Sequence, residues 1–160
     1  MTLGMTLSTF TLVHVVISLV GILSGFVVLA GMFASRRQDG WTALFLATTV
    51  LTSLTGFLFP FEHLLPSHKI GIISLVLLAL AIVGRYAMHM TGSWRWIYVV
   101  GSVMALYLNV FVLVFQAFLK VPSLHALAPK GSEPPFLIAQ LVVMAIFIVL
   151  GFRAVKRFHP

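Results

Sequence analysis

The sequence predicts an all-α fold: an integral membrane bundle of five transmembrane helices, with the N-terminus outside and the C-terminus cytoplasmic. Three observations lead there. Of 160 residues, 61% are hydrophobic and only 8% are charged, with a mean hydropathy of +1.13, whereas a soluble surface takes roughly 25% charged residues. Five apolar stretches are each long enough for a hydrocarbon core of about 30 Å, which takes roughly 20 helical residues. The basic residues are divided unequally between the two sets of connections. The composition excludes a soluble enzyme, a disordered tail and a nucleic-acid-binding domain, despite the net charge of +7. With no cysteine in the chain, disulfides and thiolate-held metals are excluded as well.

The five stretches run approximately over 7–34, 41–59, 69–89, 94–119 and 135–152, within one transmembrane domain covering 1–160. The first carries no charge before Arg36, so it lacks the basic n-region of a secretory signal and is too long for an h-region. It is read as a span. The second is rich in threonine, with Thr48, Thr52 and Thr55 on one stripe and Thr49, Ser53 and Gly56 on the next. The third has only 70–84 between Lys69 and Arg85, and it spans if those long side chains snorkel to the interfaces. The fourth and fifth are longer and uninterrupted. Pro60, Pro66, Pro122, Pro129, Pro134 and Pro135 fall between the stretches or at their ends, where a missing N–H breaks no interior hydrogen bond.

Orientation follows from Lys and Arg. Arg36, Arg37, Arg85, Arg95, Arg153, Lys156 and Arg157 lie on one side, and Lys69, Lys120 and Lys130 on the other. The richer side stays in the cytoplasm. Trp41, Trp94, Trp96 and Tyr98 then form an aromatic belt at the cytoplasmic ends.

Lipid supplies no hydrophobic drive for helix association, so small residues and interhelical hydrogen bonds must hold the bundle together. His14, Ser18, Gly21 and Gly25 follow helical spacing along one face of the first helix, with Gly21 and Gly25 a small-xxx-small pair. Ser102, Asn109 and Gln116 share a stripe on the fourth helix. An exposed seam at Gly21 and Gly25 could equally join two copies.

Four of the six histidines fall on the outer side: His14 inside the first helix, His63 and His68 around the third helix's start, and His125 in the second outer loop. Glu62 adjoins His63. Polar groups in the membrane are costly, and a common depth suggests a shared site. Imidazole and carboxylate suit Zn, Cu or Fe. The candidate ligands are His14, His63, His68, His125 and Glu62, with Gln116 and Gln140 in supporting positions. Haem b, which needs two facing imidazoles, is a narrower version of the same idea. The alternative is that the loop histidines are solvated and His14 is a hydrogen-bonded bundle residue. On the cytoplasmic side Arg85 and His89, four apart and near Arg95, are candidates for a lipid head group or phosphate. Simple anchoring of the topology is the favoured reading, because basic residues at this end are what the orientation requires.

No P-loop, G-x-S-x-G or intramembrane carboxylate pair is present. Asn109 is the one strongly polar side chain near the centre of a span, which argues against ion-coupled transport. The expectation is a non-catalytic binding or accessory protein with an outer-face metal site. The alternatives are a structural subunit packed into a homo-oligomer or larger membrane complex, and a haem or metal redox protein.

The segments Asp39-Gly40-Trp41-Thr42, Leu58-Phe59-Pro60-Phe61-Glu62-His63-Leu64-Leu65-Pro66-Ser67-His68 and Trp94-Arg95-Trp96-Ile97-Tyr98 give the whole chain a further cue. It resembles small polytopic inner-membrane proteins of proteobacteria, a group without an assigned activity. The resemblance implies a bacterial inner-membrane location and carries over no catalytic residue.

Overall fold

The structure, a computed structural model, describes residues 3–60 and 66–160, with only the backbone of Pro66 and Ser67. Among the described residues it is helical without strands. The helices are α1 (Leu7–Phe33), α2 (Asp39–Gly56), α3 (Pro66–Ile82), α4 (Trp94–Lys120), α5 (Pro122–Leu127) and α6 (Pro134–Arg157). A π-helical turn, Val83–Ala87, extends α3.

Four helices are long and apolar enough to cross a membrane: α1, α3 with its π turn, α4 and α6. The fifth expected span, α2, is not among them, because Asp39, Ser53 and its five threonines lower its hydropathy. Three of these threonine hydroxyls are nonetheless satisfied within the helix, whereas that of Thr49 is buried without a partner. Thr48, Thr52 and Thr55 each donate to the carbonyl four residues back, at 2.6–2.8 Å, so these groups enter the bundle already bonded.

α4 is the hub, packing against α1, α2, α3, α5 and α6. Ile22, Leu29, Phe45, Leu78, Val99, Leu106 and Phe147 meet around it in the main core. Close approach depends on glycine. A Cβ on Gly25 would lie 2.7 Å from Leu106 and 2.9 Å from Phe45, so α1, α2 and α4 converge where α1 has no side chain. At Gly21 a Cβ would meet the Thr48 and Thr49 hydroxyl oxygens at 3.2 Å.

Three details differ from the sequence reading. The third stretch ends in the π turn, closed by a 2.9 Å bond from Met88 N–H to the Val83 carbonyl, and this wider turn carries Arg85 into the interior. The connection between the fourth and fifth stretches contains α5, begun by Pro122 at a position that needs no N–H donor. The last helix runs on to Arg157 rather than stopping at 152. Its charges are accommodated by rings, Arg153 over Phe33 at 5.9 Å and Lys156 over Phe152 at 4.7 Å.

Candidate functional site

At the end of the bundle where α1 begins and α4 finishes, α1, α2, α3 and α4 line a partly open cavity of about 670 Å³. Its lining on α1 extends from Thr11 to Ile22, which at 1.5 Å per residue is a depth of about 17 Å. α4 contributes one stripe, Asn109, Val112, Leu113, Gln116 and Lys120, at the spacing that puts residues on one helical face.

His14 and His68 both line this cavity. The His14 Nδ1 lies 2.7 Å from the Thr55 hydroxyl oxygen. That hydroxyl donates its own proton to the Leu51 carbonyl at 2.6 Å, so the imidazole must supply the hydrogen between them. His14 is therefore the Nδ1–H tautomer, with an Nε2 lone pair able to accept a hydrogen bond or a metal. The Phe59 ring stands edge-on to this imidazole at 5.1 Å. His68 is 4% exposed, with its ring 5.3 Å from that of Phe57.

The remaining expected site residues divide. Gln116 lines the cavity, whereas Gln140 on α6 lies apart from it and donates from Nε2 to the Phe111 carbonyl at 3.1 Å. His125 is exposed on α5 and is not in the lining. Glu62 and His63 fall outside the described residues. Among those described, no group of three or more His, Cys, Asp or Glu side chains is arranged to hold a metal ion. Asn109 forms part of the lining, and its buried amide nitrogen, close to Gly21, has no hydrogen-bond partner. Lys120 is the single formally charged side chain among the described lining residues. The sequence reading used it only to set topology, although its place four residues after Gln116 and eleven after Asn109 put it on their stripe.

The opposite end is closed by Arg85. Its side chain is wholly buried, donating to Asp39 Oδ1, to the Arg37 carbonyl at 3.0 Å and to the Tyr98 hydroxyl at 3.1 Å. The head-group role expected for Arg85 is thus replaced by an internal one, because protein groups surround the guanidinium. Arg95 is also engaged, donating to the Val155 and Phe158 carbonyls at 2.8 Å and closing the end of α6. His89 remains exposed. The hydrogen bond from Arg85, aided by Arg37, holds the Asp39 carboxyl below its ordinary range.

Compared with known proteins, the chain matches no family model, no curated protein and no solved structure.

Proposed function

We propose that this is a five-span protein of a bacterial inner membrane, N-terminus outside and C-terminus cytoplasmic, that binds a small ligand in its outer-half cavity without transforming it. One observation carries the binding assignment: His14, His68, Gln116 and Lys120, from three helices, border a single, partly open cavity. Cavities of about 300–1,000 Å³ with mainly apolar walls and a few convergent polar groups are the usual form of a small-molecule site. The helix-bonded hydroxyls of Thr48, Thr52 and Thr55 support counting α2 as the fifth span, since these three take no unsatisfied donor into lipid. Seven basic residues on the α1 C-terminal side against three on the other support the orientation.

Native mass spectrometry of the protein released in mild detergent tests the binding assignment. Wild type is expected to carry a small-molecule adduct that Val112→Trp, which fills the cavity, loses and that Val149→Trp, on the exposed face of α6, keeps. No adduct on wild type, or equal occupancy in both variants, overturns the reading.

A second reading has its own support. With His14 and His68 lining the same cavity from α1 and α3, and Glu62 and His63 shortly before His68 in the chain, the ligand types suit Zn, Cu or Fe. The Nε2 lone pair of His14 is in the form that such an ion requires.

A further inference from the structure

The cavity is chemically asymmetric along its length. Lys120, Gln116 and Thr11 occupy the rim end, and Leu19, Ile22 and Leu108 the deep end. The depth is mainly rather than wholly apolar: Ser18, Thr52, Ser53, Ser74 and Asn109 also line the cavity, with the Ser18 and Thr52 hydroxyls donating to carbonyls of their own helices. The described lining includes no Asp or Glu to neutralise Lys120. A lysine one helical turn from a glutamine at the mouth of a mainly apolar shaft is complementary to an anionic head on an apolar chain.

We propose that the cavity takes a single-chain anionic amphiphile, its carboxylate or phosphate oxygens at Lys120 and Gln116 and its chain reaching down between α1 and α4 toward Ile22 and Leu108. This inference rests on the cavity being a binding site, as proposed above. Three physical points favour this class. A volume of about 670 Å³ is that of a site for one drug-sized molecule. The depth of about 17 Å along α1 suits an extended chain rather than a compact solute. A hydrogen bond to an ionised group is stronger than a neutral one, so the ammonium favours an anionic oxygen over a hydroxyl.

The test uses the full chain in nanodiscs of zwitterionic phosphatidylcholine, with 11-(dansylamino)undecanoate as the fluorescent probe. Dodecanoate, dodecyl phosphate and dodecanol serve as competitors. Saturable binding is expected, with at least one of the two anions displacing the probe at about one-tenth the concentration of dodecanol or less. Preference between dodecanoate and dodecyl phosphate identifies a fatty acid or a phosphate lipid as the source. Lys120→Gln should weaken the anions about 10-fold and leave dodecanol unchanged, whereas Lys130→Gln, outside the cavity, should change neither. If dodecanol competes as well as the anions, or if the two lysine variants behave alike, the head-group inference fails while the cavity remains a binding site. If wild type gives no saturable signal beyond that of Val112→Trp, the cavity reading fails with it.

Discussion

His14 on α1 donates its Nδ1 proton to Thr55 on α2 across 2.7 Å, and Thr55 passes its own proton back to the Leu51 carbonyl. The relay ties the first two helices together at the depth of the cavity and fixes the imidazole tautomer. Thr55→Val keeps the shape and removes the acceptor. It is expected to destabilise the protein by about 1 kcal/mol, in line with interhelical hydrogen bonds in membranes, read as a lower Tm in detergent. Nitrogen-15 spectra of labelled histidine should show a protonated Nδ1 and unprotonated Nε2 for His14 in wild type, and a tautomer mixture in Thr55→Val. A protonated Nε2 in wild type would contradict the relay.

Asp39 and Arg85 make the other polar lock, and its pH dependence has a definite sign. The folded protein holds the Asp39 carboxyl below its ordinary value of 3.8, chiefly through the Arg85 hydrogen bond. Its contribution is therefore fully present above pH 3.8 and lost as pH falls through the lower folded value. Wild type is expected to lose Tm between pH 5 and pH 2, and Asp39→Asn to start lower at neutral pH and fall less across the same interval. Parallel curves for the two proteins would show that the pair contributes nothing.

How far the sequence could be read depends on which physical property each feature used. Helix positions were legible because apolar runs and prolines act locally. The seam of His14, Ser18, Gly21 and Gly25 was legible from 3–4 spacing, and the structure puts its first two members on the cavity wall and buries the glycines. The inward turn of Arg85 was not, because it depends on one π turn and on Asp39 arriving from 46 residues away. The separation of Gln140 from Gln116 was equally hidden. Both are amides in the same half of the bundle by sequence position, but Gln140 lies outside the cavity lining and bonds to the Phe111 carbonyl, and only tertiary contacts establish that.

Gly25 bears the tightest helix approach, since a Cβ there would fall within 2.7 Å of Leu106. Gly25→Ala is expected to cost about 1–3 kcal/mol through overpacking. Adding Leu106→Ala should recover part of that loss, because the added methyl would occupy space left by the leucine. A double-mutant cycle measures this coupling, and strict additivity would mean that the two helices are not held at that distance.

Metal content distinguishes the second reading of the cavity. Elemental analysis of wild type purified without chelator is expected to show close to one Zn, Cu or Fe per chain if His14 and His68 share an ion. Either His14→Ala or His68→Ala should then reduce it at least 10-fold, the scale on which changes around a metal site alter affinity. His125→Ala, exposed on α5 and apart from the lining, should leave it unchanged. Metal retained in both cavity variants would exclude the pair as ligands.

The absence of native cysteine makes topology directly measurable. With α2 spanning, the 88–93 turn and the α6 C-terminus share one side, and α5 with the 128–133 connection lies on the other. Thr91→Cys and Ser132→Cys, both at exposed turn positions, should therefore label oppositely with an impermeant maleimide. Ser132→Cys is expected to react in intact cells, and Thr91→Cys only after permeabilisation. If both react from outside, α3 and α4 do not alternate across the bilayer as the basic residues require. If the pattern is reversed, Lys and Arg do not set the orientation of this chain.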